Sequence, residues 1–422
     1  MAVGEGRLYL RPDALPKIRR PCTSAGLYKR LATGCGPEKL IQDGLIANVR
    51  WPTLVGMTTR QAERENSSVR PLGGGSASRD RRRLRFGVDV PTCLAGMAYP
   101  VPFATADDVV RIAVEAEQLG FDEISGNDHL STQRFVRDAW PAPPDYFEPL
   151  MMLATIAAKT SVVRLGTGIL VLPMRDPVLL AKQVATLDQI SGGRVTLAVA
   201  VGGYRDEFEA VTPGLAVANR SDLMIEGIEA LRVLFEQPRS TYCGRYRRFV
   251  DVESYPKPVQ SPLPIFSGGN APGSLQRAGE WCEGWLPAKI GPAEIAAGRQ
   301  KIAAHARAAG RDPSVITIGL QSVVCIADTA EEAREKVEQS TFKLFRSSLS
   351  NTMMKDVGLD RYYADNLIGT PDEVCEKVAA FEQAGLESFN ATLFVANTVD
   401  EMLDQMRLFA RHVLPTFQHR SR

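Results

Sequence analysis

Of the four histidines in the 422-residue chain, His129 alone follows a short apolar run that reads as a strand, in the segment FDEISGNDHL. Imidazole titrates near neutrality, so a histidine placed there can donate or accept a proton in a redox or transfer reaction. Asp128 beside it is suited to set its tautomer or raise its pKa. Small residues recur at comparable places. Gly168 and Ile169 follow RLGT, Gly202-Gly203 follow VTLAVAV, and Gly268-Gly269-Asn270 follow PIFS. Paired glycines let the backbone approach a ligand closely. The third group precedes a helical stretch, whose free N–H groups and dipole suit a phosphate. His305, His412 and His419 stand in helical stretches or the tail, where surface positions are expected. The strand ends offer no cluster of His, Cys and carboxylates of the kind a metal needs. No GxSxG elbow is present. A glycosidase-type pairing of Asp128 with Glu148 competes with a simpler reading of Glu148-Pro149 as a helix start.

The elements that must position these residues are punctuated clearly. Leu165–Leu172 is a β-branched apolar run long enough for a strand buried on both faces. Asp176-Pro177 supplies an N-cap and a first helical residue, and Val178, Leu179, Val184, Leu187 and Ile190 fall at helical spacing. Gly192-Gly193 ends that helix, and Val195–Val201 reads as the next strand. The same alternation predicts strands at Leu84–Val90, Phe121–Ser125, Leu263–Ser267, Glu283–Leu286, Ile316–Ile326 and Phe389–Phe394. Helices are predicted at Asp107–Leu119, Pro149–Lys159, Arg220–Phe235, Gly269–Gly279, Pro292–Ala309, Thr329–Ser347, from Thr370-Pro371 to Gly385, and at Thr398–Arg411. A hairpin is expected through Tyr242–Val252. Eight strand-then-helix units of this kind close naturally into an α/β (β/α)8 TIM barrel, with insertions in the loops that join strands to helices. An open doubly wound sheet is the alternative, but no GxGxxG stands at a strand-to-helix turn. In a barrel, function sits at the C-terminal ends of the strands, where His129 and the glycine groups fall.

Charge separates the first 85 residues from the rest: 17 Lys/Arg face 7 Asp/Glu there, against 33 and 42 in the remainder. The acidic body has no basic footprint for nucleic acid. Residues 1–83 mix Arg, Gly, Pro and Ser without helical or strand period, and are expected to be a disordered basic extension or a translated upstream segment, with Met57 an alternative start. Arg19-Arg20 is followed by no apolar region of the kind an export signal carries. Seven unpaired cysteines with no CxxC fit a reducing cytoplasm. No apolar run is long enough for a membrane span.

The segments FDEISGNDHL, LGTGILVLPMRDPVLLAKQVATLDQISGGRVTLAVAVGGYRDEF, YPKPVQSPLPIFSGGN and IGTPDEVCEKVAAFEQAG resemble the bacterial luciferase-like oxidoreductases over residues 84–417. That resemblance implies a luciferase-like (β/α)8 barrel and a ring cofactor, either FMN or the deazaflavin coenzyme F-420, across its mouth. It gives His129 the place of the histidine near the reactive ring in deazaflavin members. Gly168-Ile169 matches the bulge, often a non-proline cis peptide, that supports the ring. Gly202, Gly203, Gly268 and Gly269 match loops near the ribityl-phosphate tail. Val201 stands where bacterial luciferase has a phosphate-binding arginine, and Ala198, Ala200 and Gly202 replace a common GxGxG. These departures turn the reading toward the deazaflavin. Gly203, where some deazaflavin enzymes are acidic, points away from a sugar-phosphate dehydrogenase. The resemblance further implies a small organic substrate that is reduced or mono-oxygenated, a possible separate flavin or F-420 reductase, and a homodimer. A non-catalytic flavin-binding protein and a cofactor-free barrel enzyme are the alternatives.

Overall fold

The computed structural model describes residues 83–349 and 358–418. The expected basic extension 1–83 lies outside the described residues apart from Arg83. The strands, in chain order, are β1 (Arg85–Val90), β2 (Glu123–Gly126), β3 (Arg164–Thr167), β4 (Leu170–Val171), β5 (Val195–Ala200), β6 (Ser240–Cys243), β7 (Arg248–Val252), β8 (Ile265–Gly268), β9 (Gly284–Leu286), β10 (Thr317–Ile326), β11 (Leu367–Gly369) and β12 (Ser388–Phe394). The helices that matter here are α1 (Ala106–Leu119), α2 (Arg134–Ala139), α3 (Pro149–Ala157), α4 (Pro177–Ser191), α5 (Arg205–Val211), α6 (Arg220–Glu236), α7 (Pro272–Trp281), α8 (Pro292–Ala308), α9 (Ala330–Gln339), α10 (Phe342–Leu349), α11 (Leu359–Asp365), α12 (Pro371–Gln383) and α13 (Val399–His412).

Local chemistry sets the boundaries. α1 begins at a reciprocal capping box between Thr105 and Asp108, and ends at Gly120, whose φ of 90° suits only glycine well. At α4, Asp176 accepts the N–H groups of Val178 and Leu179, Pro177 fills the first position, and Gly192 closes the helix with φ of 68°. Parallel pairing runs β1–β2–β3–β5–β8–β9–β10–β12 and returns to β1, with β4 extending the third position against β5. This closed eight-stranded parallel barrel is the architecture predicted. β6 and β7 form the expected antiparallel hairpin outside it.

Two layers of packing hold the barrel. Outside, Phe86 of β1 stacks on Phe389 at 5.6 Å and meets Phe409 of α13 edge-on at 5.5 Å. Such buried aromatics stabilise by roughly 1.5–3 kcal/mol each. Inside, strand alternation turns Asp89, Glu123, Ser125, Gln321 and Asn390 toward the axis. Asn390 Nδ2 donates to Glu123 at 3.0 Å, and above that pair Ser125 Oγ donates to Asp89 at 3.0 Å.

Besides the short helices α2, α5 and α11, which the sequence reading did not place, three stretches differ from their readings. The run Leu165–Leu172, expected as one strand, is divided into β3 and β4 by Gly168–Ile169, whose peptide bond is cis. The single helix expected over Thr329–Ser347 breaks into α9 and α10. There Ser340 Oγ donates to the Val337 carbonyl and accepts the Phe342 N–H, which satisfies the backbone outside the helical ladder. β11, a three-residue strand, adds beside the upper end of β10 through Val324–Ile326. It was too short for a periodicity to reveal.

Candidate functional site

His129 lies just past β2, and its partner comes from the loop past β5. The Gly202-Gly203 turn leads into α5, which directs Glu207 back at the histidine. Glu207 Oε2 lies 2.8 Å from His129 Nδ1, and the carboxylate is nearly inaccessible. Its other oxygen accepts the N–H groups of Leu130 at 2.8 Å and Ser131 at 3.3 Å. Gln133 Nε2 donates to Oε2 at 3.0 Å, and Tyr146 donates to Gln133 Oε1 at 3.1 Å. Gln133 Nε2 also lies 2.7 Å from His129 Nδ1. Nδ1 cannot both accept from Gln133 and donate to Glu207, and the anion takes the proton. That leaves Nε2, which has no hydrogen-bond partner among the described residues, as the nitrogen with a free lone pair. Burial pushes the Glu207 carboxyl up, but the bonds from His129, Gln133 and Leu130 outweigh it and hold the group below the ordinary carboxylate value. Burial likewise raises the Tyr146 phenol, which stays protonated as a donor. The rings of Tyr146 and Tyr204 flank the imidazole at 5.8 and 5.7 Å. Tyr146, in the loop of residues 141–147, thus stands as a wall beside His129.

Asp128 faces away from this dyad. It does not set the tautomer of His129, as its neighbouring position suggested; Glu207 does. Asp128 Oδ1 lies 2.6 Å from Arg175 Nη2, and Oδ2 accepts the Val171 N–H at 2.9 Å. Arg175 also reaches Glu148 at 2.7 Å. Burial lowers the guanidinium pKa, and the two carboxylates more than reverse this. The Asp128–Arg175–Glu148 triad therefore ties the loop after β2 to β4 and to the start of α3.

The glycine groups line the same end of the barrel. Gly268 packs so closely that a Cβ there would stand 2.9 Å from Ile169 Cγ2 and 3.2 Å from the Val199 carbonyl. A Cβ on Gly168 would stand 3.0 Å from Ser125 Oγ. Gly202 and Gly269 adopt φ of 83° and 103°, and nothing lies within 4 Å of the Cβ position at Gly203. Asn270 brackets Ala288 with two 2.9 Å bonds. Among the described residues no group of three His, Cys or carboxylates could hold a metal, and no helix is long and apolar enough to cross a membrane. His412 is exposed and His305 partly so, while His419 lies outside the described residues.

Two buried polar atoms at this end lack partners: Ser267 Oγ, at the end of β8, and Arg277 Nε, on α7. Arg277 is 4% exposed, donates to the hydroxyls of Ser221 and Ser274, and has no carboxylate within ion-pair distance among the described residues. A buried cation without a counter-ion costs several kcal/mol unless an anion joins it. Sequence reasoning missed Arg277, Gln133 and Glu207. For Glu207 a signal existed, since YRDEFEA follows the paired glycines directly. The others depend on tertiary placement.

A luciferase-like monooxygenase profile matches residues 84–388. The chain is 28% identical over 360 residues to the FMNH(2)-dependent dimethylsulfone monooxygenase of Pseudomonas putida, which covers 79% of this chain and 94% of that protein. It is 30% identical over 232 residues to the F-420-dependent hydroxymycolic acid dehydrogenase of Mycobacterium tuberculosis, over 54% of this chain and 61% of that one. A monooxygenase structure from Streptomyces bottropensis superposes with a TM-score of 0.64 at 25% identity, covering 79% of this chain and all of the other. With a profile spanning most of its length and a closed barrel beneath it, the chain belongs to the luciferase-like monooxygenase family.

Proposed function

We propose that the protein is an oxidoreductase that uses a reduced flavin-type cofactor, the deazaflavin coenzyme F-420 or FMN, to act on a small organic substrate. The observation that carries this reading is the His129–Glu207 dyad at the barrel mouth, beside the glycine loops and the buried Ser267 and Arg277. Ser267 Oγ and Arg277 Nε, both buried and unpaired, fit a phosphate-bearing ligand, and Gly168, Ile169, Gly202, Gly203, Gly268 and Gly269 would hold the remainder. When bound, such a cofactor supplies the hydride or, for FMN, the activation of oxygen. The chain's own part is to orient it, exclude water, and move one proton at His129 Nε2. Glu207 fixes the Nδ1 tautomer and stabilises the imidazolium once Nε2 gains a proton. Asp128 acts on the seat indirectly, by anchoring the β4 backbone.

A second reading, mono-oxygenation with reduced FMN from a separate reductase, is favoured by similarity over 79% of this chain and 94% of a monooxygenase. Residues 84–417 would carry the whole activity, as a homodimer. Equilibrium titration of the purified chain with each cofactor, followed by ring absorbance and fluorescence, separates the readings. Binding of the deazaflavin alone supports hydride transfer, and preference for reduced FMN supports the oxygenase. A folded chain that binds neither refutes both.

A further inference from the structure

Beneath the cis turn lies a buried polar chain that the dyad does not use. Asp89, the penultimate residue of β1, is wholly buried. It accepts from Ser125 Oγ at 3.0 Å, Asn127 Nδ2 at 2.5 Å and Gln321 Nε2 at 3.4 Å. Gln321 Nε2 also donates to the Gly168 carbonyl at 3.1 Å, and its Oε1 accepts from Lys289 Nζ at 3.2 Å. One amide therefore joins a carboxylate, an ammonium and the carbonyl of the turn.

Lys289 is held there with some effort. It is 4% exposed, lies over the Phe345 ring at 4.5 Å, and adopts φ of 56°, a left-handed conformation uncommon outside glycine. Its N–H bonds the Gln321 carbonyl at 2.9 Å, and Asn270 brackets the preceding residue. No carboxylate lies within ion-pair distance among the described residues, so Asp89 balances its charge only across Gln321.

We propose that Asp89, acting through Gln321 and balanced by Lys289, is a positioning residue that holds the Gly168 carbonyl, and with it the cofactor seat, in place only while its carboxylate is charged. The proposal rests on the reading of Gly168–Ile169 as part of that seat. The hydrogen-bond pattern is complete for the anion, because three donors converge on its two oxygens. A carboxyl proton needs Ser125 Oγ as its acceptor or an amide turned at Asn127 or Gln321, and of these Ser125 and Gln321 touch the turn. The titratable groups facing Asp89 are Lys289, whose charge favours the anion, and Tyr99. Burial raises the Tyr99 phenol, and it stays neutral, donating to the Phe394 carbonyl. Burial raises Asp89 to about 7 against the bonds from Asn127 and Ser125, and lowers Lys289 to about 8. The exchange therefore falls near neutrality.

The test is cofactor affinity of the full chain against pH, read by ring fluorescence with FMN and with the deazaflavin. Affinity for whichever binds should weaken about tenfold as pH falls through the Asp89 transition, the loss of roughly one hydrogen bond. Asp89→Asn should show the weakened affinity throughout, with no transition. Lys289→Met should move the transition to higher pH, because the cation favouring the anion is gone. His129→Asn should keep the transition, which separates Asp89 from the imidazole. A flat wild-type profile, or an unmoved transition in Asp89→Asn or Lys289→Met, overturns the proposal and leaves the seat in place. A folded wild-type chain that binds neither cofactor at any pH overturns the seat itself.

Discussion

On the proposed function, Glu207 is the residue on which the chemistry of His129 turns. A neutral amide in its place would keep the shape but remove the anion that holds the Nδ1 proton. Glu207→Gln should therefore lower kcat by about a hundredfold, the lower range for a positioned acid–base group, while cofactor affinity stays within a few-fold. Because the two residues act as one unit, Glu207→Gln added to His129→Asn should cost almost nothing more. Steady-state kinetics of the two single variants and the double variant decide the matter. Additive losses would mean that the residues act separately. Asp128 shows the reverse lesson: a neighbour in sequence points at a different partner in space, here Arg175.

At the scale of elements, the proposed cofactor seat is constrained where the end of β8 meets the Gly168–Ile169 turn between β3 and β4. Gly268→Ala places a methyl group 2.9 Å from Ile169 Cγ2 and 3.2 Å from Ala200 Cβ. Overpacking of this kind should cost about 1–3 kcal/mol and weaken cofactor binding in parallel. Urea unfolding and a fluorescence titration on one sample measure both. Most of the barrel was legible because its strands are apolar runs and its helices open at Thr105, Asp176, Thr370 and Thr398, whose side chains cap the first turn. The strand ends, and with them His129 and the glycine groups, followed from that alternation. What escaped was non-local or short. Asp89, Gln321 and Lys289 stand 232 and 32 residues apart along the chain, and no local pattern marks them as neighbours. The β3–β4 break hid inside an unbroken apolar run. α5 hid because Arg205–Val211 buries only Glu207 and Phe208, too few positions for a helical period.

For the whole molecule, the interior carboxyl couples fold stability to pH. The folded-state value for Asp89 is about 7 against an ordinary 3.8, so the native state holds its proton longer than the unfolded chain does. Stability from this group is full below the ordinary value, falls as pH rises, and reaches its lower plateau above the folded value, a change on the order of 4 kcal/mol. Asp89→Asn should flatten that part of the profile in thermal or denaturant unfolding. An unchanged slope between those two pH values would contradict the assignment. The barrel's closing seam has a different consequence. β10 meets β9 at Thr317 and Ile318 and the residues after β9 at Gln321, then pairs along its upper edge with β11 through Val324–Ile326. The wall thus forks, and α9 and α10 belong to the excursion that begins at the fork and returns through β11. The excursion is tied back where it returns, because Asn366 Oδ1 accepts the Val323 N–H of β10 at 2.9 Å. A change at Asn366 therefore bears on the same strand whose Gln321 bonds the Gly168 carbonyl at 3.1 Å.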